Sequence, residues 1–571
     1  MTILLQRTQF KKRLMTVLFP ALLASCTLTG GQLNDSLKND ANANSDFYLN
    51  KAYQTQQLES QQTYKLLAAR VLVTENKGYQ AEALLNELKN LTPEQTLDKN
   101  LIQAHIYATK NENDQAGLLL KTINLAQLSL SQQARYYEVE ARIAENRHDV
   151  IEAVAARSKM DAVLSDIQRK RENNDRTWAL LRNANKGTIA GANAHNNVTL
   201  AGWLALARTY NDNVTQPTLL SQAIQQWKTA YPTHTAALLF PTELESIANF
   251  QQTRNTKVAL LLPLSGEAQL IGQTVKSGFD DARGSSKEIQ VEVIDTMITP
   301  VAQAVEKAKQ NGAKAIVGPL LKGNVDVILS NPQSIQGLNV LALNATANAR
   351  AIPQLCYYGL SPEDEAESAA DKMWKDNIRK PVILVPQNDL GQRTATAFNV
   401  RWQRLAATDA NIKFYNQTDD AIHLLQEISS EAAYIIATSQ QLSEIKSVID
   451  NAGIKLKLYS SSRSNNSNST PEYRLQMNGI QFSDIPFFKE TDSPQYKKIE
   501  SKTNGDYSLM RLYAMGSDAW LLINQFNELR QVPGYSVSGL TGKLSAGPNC
   551  NVDRDMTWFE YQGGQIINLQ N

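Results

Sequence analysis

The segment KVALLLPLSGEAQLIGQTVKSGFDDA, residues 257–282, decides the fold of the second half of the chain. Its five consecutive apolar residues, Val258 to Leu262, predict a strand that is buried on both faces. The following residues, Pro263 to Gly266, are turn formers, and from Glu267 onward apolar residues recur three or four positions apart, which predicts a helix. Strand, turn and helix in this order are typical of the start of an α/β domain, so we expect the chain to divide near residue 250.

Short apolar runs continue to the end of the chain, and helical segments separate most of them. The runs are Gln290–Asp295, Ala315–Val317, Asn339–Leu343, Cys356–Gly359, Val382–Val385, Tyr434–Ala437 and Lys455–Tyr459. This alternation predicts parallel sheets, and residues 256–571 exceed what one core comfortably serves, so we expect two lobes. The Ser- and Asn-rich segment Ser460–Pro471 is predicted to be an exposed loop.

The first half contains a repeat instead of strands. The segments NKGYQAEALL, NENDQAGLLL and NRHDVIEAVA begin at Asn76, Asn111 and Asn146, 35 residues apart each time. Each follows one helical stretch and opens another, so each repeat is predicted to be a helix pair with a polar turn.

The spacing of Gly78, Tyr79 and Ala83 resembles the tetratricopeptide repeat, although its Trp and Pro signature is largely missing. We therefore expect an all-α, tetratricopeptide-like domain over residues 46–250, with about four or five stacked helix pairs. Such an array either binds a protein or holds the second half away from its attachment point, and the sequence leaves both open.

The N-terminus has the proportions of an export signal. Four basic residues precede a short apolar run, residues 14–23, and the sequence LASC follows, ending at Cys26. The run is shorter than the roughly 20 residues that cross a bilayer. Residues 1–25 therefore resemble a bacterial lipoprotein signal, which implies a lipid on Cys26, and the polar residues 26–45 are predicted to be a flexible tether.

Charge and cysteine content narrow the functional classes. The formal charge is +1, and no basic cluster indicates nucleic acid as a partner. Besides Cys26 the chain contains Cys356 and Cys550, which suit one disulfide in an oxidising compartment. The alternative is two separate buried thiols.

No catalytic constellation is visible in the sequence. The five histidines are scattered, and no His-Glu-x-x-His, phosphate-binding loop or Gly-x-Ser-x-Gly elbow occurs. The string from Ser443 to Lys446 fits Ser-x-x-Lys, but the Lys-Thr-Gly and Ser-Asp-Asn motifs that complete such a site are missing. We therefore expect no enzymatic activity, no metal and no cofactor.

One turn is a candidate binding site. Ser265 and Gly266 lie where a strand gives way to a helix, and backbone N–H groups at such a junction can hold a carboxylate or phosphate. The alternative is that Ser265 only caps the helix and Gly266 only forms the turn. The sequence favours this second interpretation, because no charged cluster converges on the turn.

Several motifs of the second half carry a family resemblance. Besides KVALLLPLSG they are IVGPL (316–320), VPQNDLGQR (385–393) and AYIIAT (433–438), which together resemble the two-lobed α/β type I periplasmic binding-protein fold. With the lipoprotein signal, the helical first half, CYYGLSPEDEAE from Cys356 and LTGKLSAGPNC ending at Cys550, the whole chain resembles the family of penicillin-binding protein activators.

The resemblance implies an outer-membrane lipoprotein that faces the periplasm. Its partner would be a class A bifunctional penicillin-binding protein, a peptidoglycan synthase, which it would bind and activate without catalysis of its own. Thr27 after the cysteine, by the same analogy, favours the outer membrane. The alternative function is a lipoprotein receptor for a small polar solute such as an amino acid.

Overall fold

The structure, a computed structural model, describes residues 33–286, 288–406, 408–426, 430–467 and 469–569. Two compact units emerge. The first extends to Ala207 and includes Thr233–Pro241, and the second comprises Arg208–Pro232 and the chain from Thr242 onward. Within these residues, no helix combines the length and the apolar character needed to cross a membrane.

The N-terminal half is helical up to Ala248. Its helices are α1 (Ser45–Gln54), α2 (Leu58–Thr74), α3 (Gly78–Asn86), α4 (Pro93–Thr109), α5 (Asn113–Lys121), α6 (Leu130–Asn146), α7 (Val150–Val163), α8 (Ile167–Asn183), α9 (Lys186–Gly191), α10 (Val198–Asn213), α11 (Pro217–Ala230), α12 (Thr235–Leu238) and α13 (Thr242–Ala248). The two compact units therefore separate within α10, and not at the predicted position near residue 250. Within the second unit, the hydroxyl of Ser221 on α11 donates to the carbonyl of Ala248.

Three helix pairs, α2–α3, α4–α5 and α6–α7, share one turn structure. In each turn a single residue adopts a left-handed backbone conformation: Asn76 (φ 60°), Asn111 (φ 63°) and His148 (φ 59°). The next amide then donates to a carbonyl in the last turn of the first helix, as in a Schellman motif: Lys77 to Leu72, Glu112 to Tyr107 and Asp149 to Ala144. The tetratricopeptide-like helix pair is thereby confirmed.

The register of the third pair differs from the prediction. His148, and not Asn146, is the structural counterpart of Asn76 and Asn111. Residues 122–129, which join α5 to α6, form a longer connection than residues 87–92, which join α3 to α4. Asn146 ends α6, and its side-chain amide donates to the carbonyl of Ala108 at 2.7 Å.

The predicted tether is wrong over its described part, residues 33–45. This segment contains a 3-10 turn, Asp35–Lys38, in which Leu37 is completely buried. The carbonyl of Leu37 accepts hydrogen bonds from Arg70 Nη2 (3.1 Å) and Arg135 Nη2 (2.9 Å). The segment therefore belongs to the first unit. Although its composition is otherwise polar, the burial of one leucine and the hydrogen bonds from two arginines hold it against that unit.

The second unit alternates strands and helices. Its strands are β1 (Lys257–Leu262), β2 (Gln290–Asp295), β3 (Ala315–Val317), β4 (Asn339–Ala342), β5 (Leu355–Tyr357), β6 (Pro381–Pro386), β7 (Asn411–Tyr415), β8 (Ala432–Ile435), β9 (Lys457–Ser460), β10 (Gln481–Asp484), β11 (Ser536–Ser538), β12 (Lys543–Ala546), β13 (Val552–Asp555), β14 (Thr557–Gln562) and β15 (Gln565–Asn568). Its helices after α13 are α14 (Gln269–Arg283), α15 (Val301–Gln310), α16 (Lys322–Ser330), α17 (Pro362–Lys375), α18 (Asp389–Ala406), α19 (Thr418–Gln426), α20 (Ser439–Asn451), α21 (Pro471–Gln476), α22 (Pro494–Lys502), α23 (Tyr507–Ile523) and α24 (Phe526–Gln531).

These strands form the two predicted lobes. Lobe 1 is the all-parallel sheet β2-β1-β3-β4-β5, and lobe 2 is the sheet β15-β14-β10-β9-β8-β6-β7. The strands β7-β6-β8-β9-β10 repeat the order of lobe 1, and β14 and β15 extend that sheet with antiparallel pairs. A small antiparallel sheet, β11-β12-β13, completes the unit. The two-lobed α/β fold is thus confirmed.

The opening strand is buried on both faces, as its apolar run predicts. Val258, Leu260 and Leu262 face a core shared with α14 and α23. Ala259 and Leu261 face a second core shared with α15 and α16. Because successive side chains of β1 point to opposite faces of the sheet, this one strand packs against the helices on both sides of lobe 1.

Helix α23 connects the two lobes. Met510 and Tyr513 near its start belong to the core of lobe 2, whereas Leu522 near its end belongs to the core of lobe 1. It crosses α14 at two glycines: a Cβ on Gly278 would lie 1.9 Å from the Tyr513 carbonyl oxygen, and one on Gly516 would lie 1.9 Å from the Val275 carbonyl oxygen. The backbones therefore meet directly, which fixes the position of α14 against the helix that serves both lobes.

Candidate functional site

The predicted turn at Ser265 and Gly266 lies between β1 and α14. Gly266 has a left-handed backbone (φ +67°) and opens a 3-10 turn, Gly266–Ala268. The side chain of Ser265 makes no capping hydrogen bond to this turn. It contacts the carboxylate of Asp295, at the end of β2, instead.

The donors around this turn are already engaged by Asp295. Its Oδ1 accepts the backbone N–H of Leu264 at 3.0 Å and that of Met297 at 2.9 Å. Burial alone would raise the pKa of Asp295, but the hydrogen bonds from Leu264, Ser265 and Met297 outweigh it and lower the pKa. A carboxylate of the chain itself therefore occupies the position that a bound anion would take.

The two remaining cysteines lie next to each other in the fold. Cys356 is in β5 of lobe 1, and Cys550 ends a 3-10 turn before β13. Their sulfur atoms are 1.96 Å apart and their Cα atoms 4.7 Å apart. The pair lies between lobe 1 and the small antiparallel sheet. Cys26, the predicted lipid attachment site, lies outside the described residues.

A cavity of about 190 Å³ lies at the carboxyl ends of the lobe 2 strands. Tyr434 and Ile436 reach it from the end of β8, Ser461 to Arg463 from the segment after β9, and Asp484 and Ile485 from the end of β10. In parallel α/β sheets this edge is where ligands bind. Residues outside the lobe 2 strands also line it: Leu360, Pro362, Arg511, Arg554 and Met556.

The cavity wall contains buried charges in fixed pairs. Arg511 donates to both oxygens of Asp484, through Nε at 2.9 Å and Nη2 at 2.6 Å. Arg554 donates from Nε to Asp364 at 2.8 Å and from Nη2 to the Ser361 carbonyl at 3.2 Å. These contacts hold both guanidinium groups in place.

Glu365 organises the segment that was predicted to be an exposed loop. Its carboxylate accepts the backbone N–H of Ser462 at 2.7 Å, the Ser462 hydroxyl at 2.7 Å and the Ser483 hydroxyl at 3.2 Å. Burial raises the pKa of Glu365, although the bonds from Ser462 oppose that shift. Ser460, Ser461, Ser464 and Asn465 are buried, so the exposed-loop prediction is wrong for this part of the segment.

Two hydroxyls on the cavity wall have no hydrogen-bond partner among the described residues. Tyr434 is completely buried and Ser461 is 3% exposed. In the described part of the chain, neither Tyr434 Oη nor Ser461 Oγ forms a hydrogen bond. Such groups are uncommon in folded proteins, because a buried polar atom without a partner is destabilising.

Sequence reasoning missed all of these cavity residues. Their position in the sequence could have indicated them: the Ser- and Asn-rich segment begins where a predicted parallel strand ends, which is the edge where ligands bind in such sheets.

The other candidate, Ser443, does not contact Lys446. The Ser443 hydroxyl donates to Gln476, while Lys446 pairs with Asp450. No cluster of three metal-ligating side chains occurs in the residues that the structure covers.

Comparison with known proteins identifies relatives along the entire chain. A family model described as LppC putative lipoprotein matches residues 38–431 and 425–564. The penicillin-binding protein activator LpoA of Mannheimia succiniciproducens is 64% identical over 573 residues, and the match covers 100% of both chains.

Two solved structures agree with this match. A structure of LpoA from Haemophilus influenzae is 58% identical, with a TM-score of 0.86, and the alignment covers 94% of this chain and 100% of that chain. The LpoA C-domain from the same organism, described as a regulator of PBP1A, is 59% identical, with a TM-score of 0.54, covering 55% of this chain and 100% of that chain. The chain therefore belongs to the LppC lipoprotein family, together with the penicillin-binding protein activators named LpoA.

Proposed function

We propose that this protein binds and activates a class A bifunctional penicillin-binding protein and thereby stimulates peptidoglycan synthesis. The observation that carries the proposal is full-length similarity to proteins named for that activity, at 64% identity in M. succiniciproducens. The H. influenzae C-domain described as a regulator of PBP1A matches the two-lobed half of the chain.

The activation is non-catalytic. It requires only that the protein bind the active conformation of the synthase more tightly than the inactive one, since that difference in binding free energy shifts the synthase population. A pre-organised surface suits this task, because less conformational entropy is lost on binding. The direct backbone contact between α14 and α23 supports such rigidity in the second unit.

The attachment to the membrane is part of the proposal. Residues 1–25 act as a signal, cleavage follows Ser25, and Cys26 receives the lipid that anchors the protein in the outer membrane, facing the periplasm. The family description as a lipoprotein supports this. Residues 46–250 then provide reach from the membrane or a further protein-binding surface. Mass spectrometry of the mature N-terminus tests the anchor: an unmodified Cys26, or cleavage at another position, argues against it.

The proposed Cys356–Cys550 disulfide belongs to the same exported state. It suits an oxidising compartment and two neighbouring sulfur atoms. Intact mass after alkylation, with and without prior reduction, distinguishes a bond from two free thiols.

A binding measurement tests the partner. The purified full chain is titrated into a purified cognate class A synthase, and a synthase of a different class serves as the control. We expect saturable binding to the class A enzyme alone. Equal affinity for both enzymes, or none for either, would contradict the proposal.

A further inference from the structure

We propose that the lobe 2 cavity is a binding site for a small organic carboxylate with an apolar remainder and no amino group. The inference rests on the cavity wall and is independent of the proposed synthase partner. It adds a small-molecule site to a protein whose relatives are named for activating an enzyme.

The size of the cavity limits the ligand. A volume of about 190 Å³ holds several water-sized molecules, so a compound of on the order of ten non-hydrogen atoms fits. Many of the lining residues are buried, Tyr434, Asp484 and Ile485 among them, so a ligand here would bury much of its surface.

The unused hydrogen-bonding groups of the wall can all donate. Tyr434 Oη and Ser461 Oγ have no partner within the described structure. Arg511 and Arg554 use Nε and Nη2 for their fixed contacts, and no hydrogen bond to a described residue involves the Nη1 of either. Arg463 at the exposed rim forms no ion pair with another described residue. Hydroxyls and guanidinium groups in this arrangement are complementary to a carboxylate.

The acidic groups of the wall already accept hydrogen bonds from the chain. Asp484 accepts from Arg511, from Asn465 Nδ2 at 2.9 Å and from the Ile485 N–H at 2.8 Å. Glu365 is engaged by Ser462 and Ser483. The ammonium group of a free amino acid would have to compete with these donors for the carboxylates, which disfavours its burial here.

The rest of the wall is apolar. Its aliphatic and thioether side chains are Leu360, Leu390, Ile436, Ile485 and Met556. They surround the charged groups, so the ligand's hydrocarbon part is buried against them while its carboxylate meets the donors. Branched short-chain carboxylates combine both features at the required size.

Calorimetric titration of the full mature protein with 3-methylbutanoate tests the site. We expect one saturable site, with the amide 3-methylbutanamide and the amino acid leucine each binding at least about tenfold more weakly. Undetectable binding of 3-methylbutanoate at millimolar concentration overturns the proposal. Tighter binding of leucine overturns it as well and favours a solute receptor. None of these outcomes depends on whether the synthase binds.

Two conservative variants separate ligand binding from folding. Tyr434→Phe and Ser461→Ala should each weaken 3-methylbutanoate binding by about three- to tenfold without lowering the thermal midpoint, because each removes a hydroxyl that forms no hydrogen bond to a described residue. Tyr415→Phe is the matched control for stability: the Tyr415 hydroxyl donates to the Ile436 carbonyl at 2.6 Å, so its loss should lower the midpoint. Unchanged affinity in both cavity variants contradicts the assignment.

Discussion

The two lobes are built on the same plan and differ at the edge where ligands of such folds bind. Both repeat one strand order, and in both the helix after the first strand meets that strand's end at a glycine. A Cβ on Gly272 would lie 1.9 Å from the Pro263 carbonyl oxygen, and one on Gly391 would lie 1.8 Å from the Pro386 carbonyl oxygen. The shared geometry therefore comes from close backbone approach and not from a ligand.

The difference lies in which groups the chain leaves unused. In lobe 1, Asp295 takes the N–H groups around the Ser265 turn. In lobe 2, a cavity lies at the same edge, and within the described residues two hydroxyls on its wall form no hydrogen bond. The buried Thr296 hydroxyl beside Asp295 forms none there either, so an unpaired hydroxyl alone does not distinguish the lobes. A strand-turn-helix junction thus does not by itself make a binding site; what distinguishes lobe 2 is that its unpaired hydroxyls belong to residues that line a cavity.

The largest expected effect concerns the proposed Cys356–Cys550 disulfide, which would link lobe 1 to the small antiparallel sheet. Reduction, or the change Cys550→Ser, should lower the free energy of unfolding by about 2 to 4 kcal/mol, because the bond closes a long loop in the unfolded chain. Chemical denaturation with and without reductant measures this. Identical unfolding curves under the two conditions would show that the bond contributes nothing.

The shared backbone contact is tested by Gly272→Ala and Gly391→Ala. Each should reduce the free energy of unfolding by about 2 to 3 kcal/mol, because the added methyl group would overlap a backbone carbonyl that cannot move aside cheaply. Denaturant titration of both variants tests whether the two lobes depend equally on this contact.

Gly323→Ala in α16 is the matched control, since a Cβ there meets nothing within 4 Å. It should be neutral or stabilising by up to about 1 kcal/mol. If Gly272→Ala or Gly391→Ala behaves like this control, the common plan of the two lobes does not rest on close approach.

The smallest of the three effects concerns the satisfied turn of lobe 1. Asp295→Ala should cost about 1 to 2 kcal/mol at neutral pH, because two backbone N–H groups lose their acceptor. The pKa of Asp295 is lowered in the folded state, so its contribution is present above the unfolded value and lost as the pH falls through the folded value. The difference between wild type and variant should therefore shrink under acidic conditions.

The exposed Glu267 beside the same turn provides the comparison. Glu267→Ala should change stability by less than about 0.5 kcal/mol. An equal loss in both variants would mean that Asp295 acts only as one more surface charge.

Two parallel strands of lobe 1 have the predicted bounds. Ala315–Val317 is completely buried and forms a short apolar run that ends abruptly. Gln290–Asp295 also has the predicted bounds, although it lies at the sheet edge and Ile294 is its one buried residue. The strand Gln481–Asp484 was missed because its Gln, Ser and Asp side chains are polar yet buried. Asn411–Tyr415, the corresponding edge strand of lobe 2, was also missed.

The cavity could not be predicted because its residues are brought together by distant contacts. Ser462 is buried through Glu365, which lies 97 residues away in sequence, and composition alone indicated an exposed loop. The third repeat was misaligned for a related reason: the left-handed position can be filled by His148 as well as by Asn76, so matching asparagines did not identify it.

The most direct test of the proposed function is the rate of glycan polymerisation by the cognate class A synthase as the full chain is added. We predict a rate that rises and saturates, with a half-maximal concentration equal to the dissociation constant measured by direct binding. The chain without the synthase should form no product. A rate that stays flat while the two proteins bind, or product formed by this chain alone, would contradict a non-catalytic activator.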